Sequence, residues 1–270
     1  MSSPVNYAKL FGFESVAAAG VFAALYAPLA VWFLVLLIRH RSYVVFTLAL
    51  FCQIRFVAFI IRAILASSES AGENLNLLIA DEVLFSVGFF GLLYGSYGLV
   101  LARLAFCTAL PFDNILSRLI RNRTFFHLTL STGVALGIAG IVQTSDNPSD
   151  STGSALRKAS VVIFVVLTVL QAYQTVVLVI AERRDDLDER KQYLGTSFGA
   201  RHGALVFVII ALLLLVREIF MAATLGSTAK QNNEHFWYPL VALPELLCLL
   251  LYAVPGLIPP KRSDVFDLPK

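Results

Sequence analysis

Residues 51–65 read FCQIRFVAFIIRAIL. Apart from Gln53 and two arginines, every side chain is apolar, so the stretch is compatible with hydrocarbon over most of its length. Arg55 and Arg62 carry guanidinium groups that stay charged in proteins. Seven residues separate them, so on a helix they share a face about 10 Å apart along the axis. An arginine at the centre of a membrane helix costs about 2.5–3.5 kcal/mol on insertion scales, and such residues face the protein interior and pair. The fold turns on what these two pair with.

The rest of the chain is built in the same way. Hydrophobic residues make up 58% of 270 and charged residues 14%, against about half and a quarter in soluble globular chains. A span needs about 20 apolar residues to cross about 30 Å of hydrocarbon. Seven stretches qualify: 14–38, 42–66, 78–106, 124–143, 157–181, 202–224 and 238–258. Their connections are short, so the sequence predicts an all-α bundle of seven transmembrane helices. That gives one membrane domain over 14–258, an N-terminal tail over 1–13 and a tail over 259–270. The apolar run of the first stretch is about twice the length of a signal-peptide core and arginines follow it, which predicts an uncleaved span.

The net charge of +3 says little, but the placement of the basic residues says more. Arg39 and Arg41 follow helix 1, and Arg118, Arg121 and Arg123 follow helix 3. Arg183, Arg184, Arg190, Lys191 and Arg201 follow helix 5, with Lys261, Arg262 and Lys270 in the tail. The opposite side has Lys9, Arg157, Lys158 and Lys230. Excess Lys and Arg marks the cytosol, so the N-terminus is expected outside or in the lumen and the C-terminus in the cytosol. The expected location is the endoplasmic reticulum or another secretory-pathway membrane. The acceptor-like triplet Asn122-Arg123-Thr124 then lies in the cytosol, out of reach of glycosylation.

Helix 3 carries Gly88, Gly91, Gly95, Gly98, Ala102 and Ala105 at alternating spacings of three and four, on one face. Small residues let membrane helices approach closely, which predicts a central, tightly packed helix 3. Helix 4 has Gly133, Gly137 and Gly140. Asp81 lies one heptad before Gly88 and shares its face, whereas Glu82 is turned by about 100°. Pro28, Pro244 and Pro255 fall inside predicted spans, where each can kink its helix. The mixed-charge segment AERRDDLDERKQYLG, 181–195, reads as a solvated extension of helix 5 followed by a turn.

Helix 6 adds Arg217 and Glu218, and helix 7 adds Glu245. With Arg55, Arg62, Asp81 and Glu82, these charges come from four helices, and most share the outer half of the bundle, Arg55 lying near mid-membrane. Polar neighbours extend the set. Glu245, Cys248 and Tyr252 share a face of helix 7, Thr168, Gln171 and Thr175 line helix 5, and Tyr94 and Tyr97 add hydroxyls from helix 3. Two readings stay open: ion pairs that hold the helices in register, or a polar cavity for a lipid-soluble ligand.

Other classes lack support. Helix 7 has no lysine for a retinal Schiff base. His40, His127, His202 and His235 have no metal-ligand spacing, and Cys52, Cys107 and Cys248 have no paired spacing. No glycine-rich phosphate loop follows a strand. No metal, cofactor or nucleic acid is expected.

The helix 6 segment LLLLVREIFMAATLG, the helix 7 segment YPLVALPELLCLLLYAVPGLIPP, the arginines of helix 2 and VGFFGLLYGSYGLVLARL of helix 3 together resemble an uncharacterised fungal seven-helix membrane family. The likeness is weaker toward fungal lipid-translocating exporters, because Met221 and Thr224 stand where these usually carry a second arginine and a glutamate. In length, helix number and acid placement the chain is also similar to fungal integral-membrane terpene cyclases of the ascofuranone type. That resemblance implies acid-initiated carbocation cyclisation of a prenylated, epoxidised meroterpenoid, with membrane lipids and pathway enzymes of the same membrane as partners.

Such chemistry needs a carboxylic acid, a dry cavity and aromatic faces. Glu245 is the first expected acid, with Asp81 and Glu82 after it. Arg55, Arg62, Arg217, Tyr94, Tyr97, Tyr252 and Gln171 are the expected substrate contacts. Three arginines (Arg55, Arg62, Arg217) face four carboxyls (Asp81, Glu82, Glu218, Glu245), which leaves room for one unpaired acid. The alternative is a lipid or xenobiotic translocator or receptor-like protein without catalysis.

Overall fold

The structure is a computed structural model and describes residues 6–39, 42–107, 122–146, 151–184 and 197–258. Seven long helices dominate: α1 Val16–Arg39, α2 Tyr43–Ser67, α3 Leu75–Leu104, α4 Arg123–Asp146, α5 Ser151–Arg184, α6 Phe198–Ala223 and α7 Glu234–Tyr252. All seven are long and apolar enough to cross a membrane, and no strand occurs among the described residues. Of the expected extension and turn over 181–195, residues 181–184 form the end of α5 and 185–195 lie outside the described residues, as does the tail 259–270. So do His40, Arg41, Arg118, Arg121, Arg190, Lys191, Lys261, Arg262 and Lys270.

Large apolar side chains on the outside fit a lipid-facing surface: Val31, Ile38, Leu128, Leu205, Leu212 and Ile219 are all exposed. In water such a surface would be an interaction site or a liability. Inside, α3 is central and touches α2, α4, α5, α6 and α7. The reason is its glycine stripe. A Cβ on Gly91 would stand 3.0 Å from the Thr47 carbonyl, and one on Gly95 3.0 Å from Leu48. The stripe is thus the seat of α2. On α4, Gly133, Gly137 and Gly140 sit against Ile163, Ser160 and Arg157 of α5 in the same way.

Neighbouring spans run antiparallel. We call the end where α1 begins proximal; it also holds the starts of α3, α5 and α7 and the ends of α2, α4 and α6. The expected N-terminal tail is partly built into this end. Asn6 caps a one-turn helix Tyr7–Leu10 by accepting from Lys9 N at 3.0 Å. Ala8 and Phe13 are buried with Leu65 and Leu78. The Glu234 carboxylate accepts from the Glu14 and Ser15 amides at 3.2 and 2.9 Å, just before α1. It thereby satisfies donors that a helix start leaves open.

Two prolines behave differently from expectation. Pro255 lies beyond α7, in the turn before Gly256, and its carbonyl accepts from Gly199 N at 3.1 Å. In α7 the disturbance is a π-helical turn, Tyr238–Ala242, containing Pro239 and followed by Pro244. Leu243 N–H bonds the Tyr238 carbonyl five residues back. Prolines lack an N–H, and the wider turn absorbs one extra residue and resets the face on which Glu245 emerges.

Candidate functional site

Four arginines and four carboxyls of the proximal half form ion pairs with one another, and Glu245 accepts from two of the arginines. Arg55 of α2 has no exposed surface. Its Nε and Nη2 donate to Glu245 Oε2 and Oε1 of α7 at 2.6 and 2.7 Å, a two-bonded pair. Its Nη1 donates to the Leu84 and Phe85 carbonyls of α3 at 3.2 and 3.1 Å. Gly88 makes room for this, since a Cβ there would stand 2.8 Å from Nη1.

One heptad along α2, Arg62 donates to Asp81 Oδ2 of α3 through Nε at 3.2 Å and Nη2 at 2.7 Å. The rings of Phe13, Phe85 and Trp237 surround its guanidinium at 4.4, 4.2 and 4.0 Å. Arg217 of α6 binds its sequence neighbour Glu218 and also donates Nε to Glu245 Oε1 at 3.3 Å. It stands 3.8 Å over the Phe89 ring. The fourth pair is looser: Arg157 Nη2 of α5 lies 3.5 Å from Glu82 Oε2 of α3. The turn between Asp81 and Glu82 sends the first toward α2 and the second toward α5.

A cavity of about 90 Å³ opens among these groups. Arg62, Glu82, Arg157, Arg217 and Glu218 supply its charged wall, and Phe85, Phe89, Phe164 and Trp237 supply aromatic wall. Gln231 and Asn232, from the connection between α6 and α7, close it. Two residues of its lining, Glu218 and Asn232, each carry a buried polar atom without a hydrogen-bond partner: Glu218 Oε2 and Asn232 Nδ2. Their residues are 1% and 7% exposed. A buried polar atom without a partner is rare and calls for a ligand, a water or strain as explanation.

Residues 16–200 match the family model described as a domain of unknown function, DUF7702. The chain belongs to the DUF7702 family. No curated protein and no solved structure matches it. The DUF7702 match takes in α1 to α5 and the first residues of α6, so it includes Arg55, Arg62, Asp81, Glu82 and Arg157. Arg217, Glu218, Asn232 and Glu245 lie beyond it. The family carries no assigned activity, so the function of this DUF7702 protein has to be argued from the site.

Of the residues expected at the site, Arg55, Arg62, Arg217, Asp81, Glu82 and Glu245 converge. Glu245 sits behind the cavity and does not line it, and both its oxygens accept from guanidinium groups. Tyr94, Tyr97, Tyr252 and Gln171 are placed elsewhere, for a reason of length. At 1.5 Å per residue, Tyr94 is about 20 Å along α3 from Asp81 and Tyr252 about 10 Å along α7 from Glu245. Tyr94 meets Tyr43, Phe90 and His127, and Tyr97 stacks flat on Phe126 at 3.8 Å. Gln171 donates to Ser96 Oγ and Thr175 Oγ1 at 2.5 and 3.1 Å in a separate polar layer near mid-bundle.

Sequence reasoning missed three things. Arg157, which the sequence groups with the basic residues flanking the spans, reaches Glu82 and completes the pairing. Asn232 was hidden in the polar loop QNNEH. At the distal end, Arg103 Nε donates to Glu182 Oε1 at 2.5 Å, while Nη1 and Nη2 donate to the Gly199 and Ala200 carbonyls at 2.9 and 2.6 Å. The only hint was an arginine in the last turn of a membrane helix. Among the described residues no group of three His, Cys, Asp or Glu side chains could hold a metal ion.

Proposed function

We propose that this DUF7702 protein is a receptor-like or carrier protein that binds a lipid-soluble small molecule and performs no chemistry on it. It sits in a membrane of the secretory pathway, with its N-terminus outside or lumenal and its C-terminus cytosolic. The supporting observation is the proximal cavity, whose lining residues Glu218 and Asn232 each carry a buried polar atom, Oε2 and Nδ2, without a hydrogen-bond partner. Ligand sites are concave and largely apolar, with a few placed polar groups. At about 90 Å³ the cavity suits a small polar head, while pockets for whole drug-sized molecules run to about 300–1,000 Å³. The apolar remainder of the ligand then stays in lipid. Native mass spectrometry of protein in nanodiscs tests this: a bound amphiphile that Asn232→Leu releases supports it, and no retained ligand from any membrane extract opposes it.

Acid-initiated terpene cyclisation is the second reading, favoured by the aromatic wall. It would need Glu218 as the acid, because Glu245 and Asp81 do not line the cavity and Glu82 pairs with Arg157. Two features weigh against it. The cavity is small for a prenylated aromatic, and Arg62 and Arg217 already cover faces of Phe85, Trp237 and Phe89 that a carbocation would use. Incubating microsomes with an epoxyprenylated phenol decides: turnover lost in Glu218→Gln would establish the cyclase.

A further inference from the structure

The four ion pairs constrain what the cavity accepts. Arg55, Arg62, Arg157 and Arg217 are each matched by Glu245, Asp81, Glu82 and Glu218. The count of three cations against four acids expected from sequence becomes four against four, and the network is neutral. A charged head entering it would be an unmatched charge away from water, and burying an unpaired charge is costly. A head that accepts and donates hydrogen bonds without net charge meets no such penalty.

The two unpartnered atoms have the matching chemistry. Glu218 Oε2 is an acceptor and Asn232 Nδ2 a donor. A hydroxyl does both: its O–H donates to the carboxylate and its oxygen accepts from the amide. The aromatic side of the lining leaves no further polar demand. Resting on the binding function proposed above, we infer that the ligand is a neutral lipid alcohol or a lipid of equivalent uncharged hydrogen-bonding head, held between Glu218 and Asn232.

The experiment uses full-length protein in nanodiscs and three diazirine-bearing probes of one chain length: a fatty alcohol, a fatty acid kept ionised at alkaline pH, and a quaternised fatty amine, which stays cationic at that pH. The alcohol is expected to crosslink saturably near the cavity, with the ionised acid and the amine about tenfold weaker, the loss expected for one charged group. Asn232→Leu should weaken the alcohol about tenfold. Glu218→Gln removes one negative charge from the network and should shift preference toward the ionised acid. Equal or tighter capture of acid or amine by the wild type would overturn the neutral-head inference while leaving binding intact. Saturable capture of none of the three would overturn the binding function itself. Gel filtration checks that each variant is folded, and Asn232→Leu, in a connecting loop, carries the test if Glu218→Gln does not fold.

Discussion

Arg55 and Glu245, 190 residues apart in sequence, form a two-bonded ion pair at 2.6 and 2.7 Å with exposures of 0% and 1%. The pair joins α2 to α7, and the spare Arg55 nitrogen ties both to the backbone of α3. It is the deepest contact of the network and answers what an unneutralisable charge does inside a membrane helix. Breaking a buried pair by removing one partner costs about 3–5 kcal/mol, because the survivor stays buried and unmatched. Glu245→Gln should therefore lose about that much in reversible unfolding from detergent micelles. The double variant Arg55→Met with Glu245→Leu should recover most of it, since it leaves neither charge behind.

Gly88 matters for its missing side chain. A Cβ there would meet the Arg55 guanidinium at 2.8 Å, whereas one on Gly20 of α1 would meet nothing within 4 Å. Gly88→Ala should destabilise by about 1–3 kcal/mol through overpacking. Gly20→Ala should be neutral or stabilise by up to about 1 kcal/mol through helix propensity. Thermal unfolding of the two variants side by side checks the contrast.

At the distal end, Arg103 holds the first turn of α6. The helix departs from α-helical dihedrals at His202, and Gly203 leaves space for the guanidinium. Glu182→Gln should loosen this clamp and raise amide hydrogen exchange over 198–203 without changing exchange near Arg55. Exchange spread evenly over the bundle would mean that the clamp has no local role.

The proposed orientation places Ser70, exposed between α2 and α3, outside or in the lumen. In a Cys107→Ser background, Ser70→Cys in sealed microsomes should resist a membrane-impermeant maleimide until detergent is added. Immediate labelling would reverse the topology.

Hydropathy and the seven-residue spacing of Arg55 and Arg62 made much of the fold legible. So did the heptad from Asp81 to Gly88, which puts the two on one face, and the structure seats α2 on that face. Helical phase reads well because it is local. Partners across helices read less well, because they depend on length and rotation between segments. Arg157 reads as a flanking charge because it opens the expected span 157–181, whereas α5 starts at Ser151, a turn and a half before it. Tyr94, Tyr97 and Gln171 shared the right types but stood at the wrong depth. The π-helical turn at Pro239 resets the phase of α7, and the uncommitted oxygen of Glu218 can only be seen once Arg217 has chosen its contacts.

The central claim is that the proximal cavity is a ligand site, and cryo-electron microscopy of the protein in nanodiscs made from its native lipids tests it most directly. The account predicts elongated density with its polar end in contact with both Glu218 and Asn232 and its apolar part leading into lipid. A cavity holding only water, or closed by those two side chains bonding each other, would contradict it.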